Sequence, residues 1–246
     1  MRLSTLTGLG VVVAFTGLLE VLVGTGIVSR FLVAQPSVIA AELVTLLTQE
    51  GLVEAFLTTF AATLSATGLA IAIGVPAGYL LYRSKILGEA YGQWIAGMFS
   101  APLILLYPLF LVLLGRGVQT VVVISAILAT IPIVLNTQQA FVQVRGVYLN
   151  VARSYNMSGW QTFWKVLFPA AVPTIFTGIR LGLIYAMISV VAIEYLVVLG
   201  GLGALVSDMY DRYNIAGMYA AILAVILVTV VFFKVATGVE RWLRPM

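Results

Sequence analysis

The chain has 246 residues, 62% of them hydrophobic and 9% charged, against about 45–50% and about 25% in an ordinary soluble domain. This composition excludes a water-soluble single domain and, at 1.5 Å per helical residue, leaves room for roughly five to seven membrane spans in one transmembrane domain over residues 1–246. Cysteine and histidine are both absent, which removes disulfides, thiolate chemistry, zinc or haem ligation through those side chains, and imidazole proton relays.

In chain order, the first long apolar run is Leu9 to Ile27, with Glu20 as its only charge. Leu32-Val33-Ala34 loosely resembles a signal-peptidase site, but an apolar run of about 19 residues exceeds the 7–15 of a signal peptide, so a retained span is expected. From Arg30 to Glu54 the pattern is mixed. Pro36-Ser37 opens a series (Val38, Ala41, Leu43, Leu46, Leu47) that fits a short amphipathic helix at the membrane surface, too short to cross.

Further spans are predicted at Ala55 to Tyr82, Trp94 to Leu114, Val118 to Leu135, Val172 to Leu199 and Ile215 to Phe233, six in all. Gly115-Arg116-Gly117 is so short that the spans flanking it must be antiparallel neighbours. With six spans both termini share a side. Loops and termini there carry Arg2, Arg83, Lys85, Arg145, Arg153, Lys165, Lys234, Arg241 and Arg244, nine basic residues against Arg30, Arg116 and Arg212 opposite. That asymmetry predicts a membrane protein with both termini and the long loop cytoplasmic, and explains the net charge of +4 without nucleic acid. Pro76, Pro102, Pro108, Pro132 and Pro173 are expected to interrupt spans, and Gly74 to Gly78 to form a small-residue packing surface.

The cytoplasmic excursion, residues 136–173, is too patterned for a linker. Gly146 to Asn156 favours a short helix, with Val147, Val151 and Ser154 on one face and Tyr148, Ala152 and Tyr155 beside them. Ser158 and Gln161 have the spacing of a capping box. They open a second helix with Trp160, Phe163, Trp164 and Leu167 at i, i+3, i+4 and i+7, and Asn156 and Gly159 act as turn residues between the two. Periodicity alone leaves two readings open, a helix lying in the headgroups with a Trp belt or a helix-turn-helix that docks on a protein.

The loop resembles the cytoplasmic signature of binding-protein-dependent ABC importer permeases: Glu-Ala-Ala, three residues, Gly, nine residues, Ile-x-Leu-Pro. Asn150-Val151-Ala152 stands at the first position, Asn156 at the Gly, and Val166-Leu167-Phe168-Pro169 at the last. The spacing is intact, although Glu and Gly are both replaced by Asn. Within that superfamily the chain is most similar to the nitrate, sulfonate and taurine type. The ordered matches are Pro102, Pro108-Leu109, Gly115-x-Gly117, Pro132, Asn136-Thr137, Ala152-Arg153, Phe168-Pro169-Ala170, Pro173, Gly178-x-Arg180, Glu194 and Gly201-Leu202-Gly203.

The resemblance implies an all-α integral membrane protein with six transmembrane helices and a cytoplasmic coupling helix-turn-helix, the type I ABC importer permease fold. It implies a second permease chain, two cytoplasmic ABC ATPases and an external solute-binding protein, with membrane lipid around them. ATP and Mg2+ belong to the ATPase, since the chain binds no cofactor or metal and has no G-x-x-x-x-G-K-[ST] loop. It is a transport subunit, not an enzyme, and has no catalytic residues. The coupling residues would be Tyr148, Asn150, Val151, Ala152, Arg153, Tyr155, Asn156, Met157 and Ser158, with Ala152 expected at the docking contact.

Candidate path residues are Tyr107, Asn136, Met187 and Glu194. Glu20 and Glu194 are intramembrane carboxylates that should face the bundle interior and hold helices in register by hydrogen bonding, and Arg180 lies at the cytoplasmic end of the fifth span. A proton-driven carrier using the two glutamates, a membrane enzyme and a purely structural subunit are competing classes; the first leaves the loop spacing unexplained, and the second lacks His, Cys and a paired-acid motif. The cargo is a small organic or inorganic anion or a vitamin-like metabolite, and the sequence does not choose among them.

Overall fold

The computed structural model describes residues 2–243, and within them the chain is helical with no strand. In order the elements are α1 (Arg2–Gly24), α2 (Pro36–Thr48), α3 (Leu52–Arg83), α4 (Lys85–Ser100), a 3-10 turn (Leu103–Leu106), α5 (Tyr107–Leu114), α6 (Val118–Val142), α7 (Gly146–Ser154), α8 (Gly159–Thr162), a π-helical turn (Phe163–Leu167), α9 (Phe168–Val197), α10 (Leu202–Asp211) and α11 (Ile215–Leu243).

Among the described residues, α3, α6, α9 with its flanking turns, and α11 are each long and apolar enough to cross a bilayer. The predicted span Trp94 to Leu114 is not one helix. It is divided between α4 and α5, whose axes differ by 85°. The cause is local: Ala101 precedes Pro102 and is extended (φ −77°, ψ 138°), as steric clash with a following proline ring demands. Counting this bent pair as one span gives five. The first predicted span, Leu9 to Ile27, is helical only to Gly24, within the 23-residue α1. Pro76, Pro132 and Pro173, expected to interrupt their spans, instead lie inside unbroken helices.

The chain forms two compact units. One comprises the chain up to Thr58 together with Glu194–Val228. Its core joins Leu46 of α2, Leu52, Leu202, Leu205 and Met209 of α10, and Ala220, Ala221 and Ala224 of α11, with Ile39 and Leu43 against it. The face of α2 that is covered is therefore Ile39, Leu43 and Leu46, while Val38, Val44 and Leu47 are exposed. Arg212 ties the ends of the two short helices together, its Nη2 2.7 Å from Asp208 and its Nη1 3.3 Å from Glu50.

The second unit comprises Thr59–Ile193 and the chain from Thr229 onward. Here α6 is the central element, gripped by two glycine pairs spaced four apart, Gly74 and Gly78 of α3 and Gly178 and Gly182 of α9. A Cβ on Gly78 would lie 2.6 Å from Thr137 Cβ, and one on Gly178 would lie 2.5 Å from Asn136 Cβ. Glycine at these positions lets three backbones approach closely enough for dispersion contacts to hold the helices without a hydrophobic driving force. One layer on, Ala66 and Ala70 of α3, Ala126 and Ala129 of α6, and Ala186 of α9 continue the same close packing.

Candidate coupling surface and membrane path

The helix-turn-helix of residues 146–162 forms as its residues dictate. α7 begins after Arg145 and ends by a pair of hydrogen bonds in which the Asn156 N–H donates to the Arg153 carbonyl (2.9 Å) and the Met157 N–H to the Ala152 carbonyl (3.1 Å). This is a Schellman termination, which needs a left-handed residue at its last but one position; Asn156 supplies it with φ 49°. The predicted helix is thus two residues shorter than Gly146 to Asn156. The capping box is present: the Gln161 N–H donates to Ser158 Oγ at 3.3 Å and the Ser158 N–H to Gln161 Oε1 at 3.0 Å.

The second helix does not stop after Thr162. After one α-turn it widens into the π-helical turn Phe163–Leu167 and runs on into α9. Pro169 explains the widening: in a regular helix its ring would press on the Lys165 carbonyl. The turn beds α7 in an aromatic cluster. Phe163 lies 4.9 Å from Tyr79 and 6.2 Å from Phe141 between ring centroids, and Tyr82 stacks on Phe141 at 5.4 Å. Leu149, Val144 and Leu167 pack on the same cluster. Trp160 and Trp164 remain on the outside.

The candidate coupling residues therefore divide. Ala152 is 1% exposed and packs inside its own chain, so it holds α7 in place and is not part of a free docking face. Tyr148, Asn150, Val151, Arg153, Tyr155, Asn156 and Ser158 are exposed, and Met157 is half-buried. Arg153 Nη1 donates to Asn150 Oδ1 at 3.4 Å along the helix, pairing the residue at the signature's Glu position with a cation of its own chain.

The candidate path residues each have a distinct setting. Met187 is buried in the second unit, and Asn136 donates from Nδ2 to the Pro132 carbonyl at 2.8 Å beneath Gly178. Glu194, 3% exposed, lies in the first unit, where it accepts from the Gly203 N–H at 3.2 Å and leans on Gly201. Tyr107 opens α5 just beyond the 85° bend. Arg180 lies twelve residues past Phe168, about 18 Å along α9 at 1.5 Å per residue. Glu20 accepts from the Ser37 N–H at 2.9 Å and the Ser37 hydroxyl at 2.6 Å.

Periodicity had no means of finding Tyr79, Tyr82 and Phe141 as the bed of α7, or Ser37 and Gly203 as the partners of the two acids. The pair Gly178 and Gly182 was visible as a four-residue spacing.

Residues 70–245 match the family described as the binding-protein-dependent transport system inner membrane component. The nitrate import permease protein NrtB of Synechocystis sp. is 34% identical over 176 residues, which are 72% of this chain and 64% of NrtB, so the match spans less than two thirds of that relative's length. The osmoprotectant import permease protein OsmW of Salmonella typhimurium is 33% identical over 68% of this chain and 79% of its own. A solved structure of the MetNI methionine ABC transporter in an inward facing conformation has a chain that superposes with a TM-score of 0.67 over 76% of this chain and 94% of that one; at 22% identity it establishes likeness of fold alone. Family match, relatives and fold agree: this chain belongs to the binding-protein-dependent transport system inner membrane components.

Proposed function

We propose that this chain is the permease subunit of an ABC importer, passing a small solute from an external binding protein to the cytoplasm between itself and a second permease chain. Two cytoplasmic ATPases would hold ATP and Mg2+. The observation that carries this reading is α7, a short helix whose inner side has Ala152 buried and Leu149 packed on the aromatic cluster while Tyr148, Asn150, Val151, Arg153 and Tyr155 are exposed. A mixed polar surface of that kind, backed by rigid packing, suits a protein groove and transmits displacement into α9 through the continuous π-helical turn.

In this reading α1, the bent α4–α5 pair, α3, α6, α9 and α11 are the six spans, and the nine-to-three charge asymmetry keeps both termini and α7 cytoplasmic. The cargo class is a small anion or a vitamin-like metabolite. A proton-driven carrier is disfavoured because both intramembrane carboxylates already accept hydrogen bonds from the starts of short helices.

The test is purification of the tagged chain from native membranes in mild detergent. An ABC ATPase should copurify and hydrolyse ATP, and Val151→Asp should release it while the permease stays monodisperse. A chain that supports solute uptake with no ATPase bound would overturn the reading.

A further inference from the structure

The bend between α4 and α5 is the feature that neither packing nor coupling uses. Phe99, the last but one residue of α4, packs edge-on against Tyr185 at 4.8 Å. Tyr185 stands 17 residues past Phe168 in the 30-residue α9, so the bend lies near that helix's middle depth. Closer to the cytoplasmic end, Gly88 and Gly92 of α4 approach Gln138 of α6. No residue of α4, the 3-10 turn or α5 is buried in the chain.

Non-helical backbone at membrane depth does not occur facing lipid; it is covered by protein or lines water. At the bend Ser100, Ala101 and Pro102 are exposed; the apolar 3-10 turn Leu103–Leu106 follows, with Leu105 and Leu106 exposed, and Tyr107 comes after it. At the end of α4 the Phe99 and Ser100 carbonyls lack intrahelical partners, whereas the carbonyls of Met98, Ala101 and Pro102 accept from the N–H groups of Ala101 (3.2 Å), Leu103 (2.7 Å) and Leu105 (2.9 Å). An apolar partner packed here would strip these groups of hydrogen bonds. Between Glu89 and Arg116 the chain has no carboxylate and no basic side chain.

We propose that the bend at Ser100–Pro102 lines the aqueous path, offering the Ser100 hydroxyl and the backbone carbonyls of Phe99 and Ser100 to a small polar solute that is held by hydrogen bonds without a counter-charge from this segment. The proposal rests on the permease reading above. Asn136, Met187 and Glu194, engaged inside the chain, are then not part of the lining.

Because the chain has no cysteine, single substitutions report cleanly. Ser100→Cys, Ala101→Cys and, as a control, Val13→Cys on the exposed side of α1 would each be assembled with the copurifying ATPase in proteoliposomes. Each would be treated with a membrane-impermeant sulfonated methanethiosulfonate, with labelling read by mass and ATPase turnover alongside. The expected result is labelling of Ser100→Cys or Ala101→Cys several-fold faster than Val13→Cys, at a rate that changes when the ATPase is trapped with nucleotide. Labelling of both bend variants only by a lipid-soluble maleimide, or cross-linking between two copies with no water-borne labelling, would overturn the proposal while the ATPase activity leaves the permease reading intact. Absence of any bound ATPase would instead remove that reading.

Discussion

The carboxylate of Glu194 accepts a hydrogen bond from the backbone N–H of Gly203 at 3.2 Å, closing the start of α10 from the end of the helix before it. Glu20 does the same for α2 through the N–H and hydroxyl of Ser37. Each acid satisfies donors that a helix start leaves unpaired, at the positive end of its dipole. In a chain this apolar, the two charges thereby become fasteners for the two short helices that share the core of Leu46, Leu202 and Met209.

Glu194→Gln keeps an acceptor at the Gly203 N–H and should change thermal stability in detergent little, whereas Glu194→Ala leaves that donor buried and should cost about 1–3 kcal/mol. Gly201→Ala should be worse than either. Its φ of 91° disfavours a side chain, and the added Cβ would run into the Glu194 carboxylate. A Gly201→Ala protein as stable as the parent would show that the acid is not seated there.

Gly78→Ala and Gly178→Ala should each destabilise the second unit by about 1–3 kcal/mol, the usual cost of overpacking a tight contact. The obstacles are the Cβ atoms and backbone of α6, which cannot swing aside like the end of a flexible side chain. Gly97→Ala, with open space around it, should be tolerated. Melting curves of the three variants in one detergent make the comparison.

Asn156→Gly should preserve the end of α7, and Asn156→Val should weaken it by about 1–2 kcal/mol, because a β-branched residue resists the left-handed conformation. Hydrogen exchange at the Met157 amide, which donates to the Ala152 carbonyl, reads this directly. Faster exchange in Asn156→Val and unchanged exchange in Asn156→Gly is the expected pattern.

Ala152→Trp and Tyr155→Ala should separate anchoring from docking. Ala152 is enclosed by its own chain, so a large ring there should lower stability even in the free permease. Tyr155, 75% exposed, should leave melting unchanged while weakening ATPase retention. If Ala152→Trp melted normally, α7 would not be seated as described.

For orientation, a cysteine at Gly117 should be labelled only from outside the cell and one at Ser158 only from the cytoplasm, since the two positions lie on opposite sides in the proposed topology. Impermeant maleimide on intact and inverted vesicles decides it.

The loop's local structure was legible in the sequence because it depends on near neighbours. Ser158 and Gln161 bond across three residues, and Asn156 adopts the backbone geometry that the signature's glycine would have allowed. The long helices α3, α6 and α11 followed from runs of apolar residues, since in a bilayer the backbone must pair within its own segment. The extended conformation at Ala101 was implicit in its proline neighbour, but how far the chain turns there was not, because bend angle depends on what α4 and α5 pack against. Likewise the sequence marked Glu20 and Glu194 as interior acids and placed Ala152 in the coupling motif. Only tertiary structure decided that the acids meet Ser37 and Gly203 and that Ala152 faces inward, because partners distant along the chain are selected by how helices pack and not by the periodicity of any one of them.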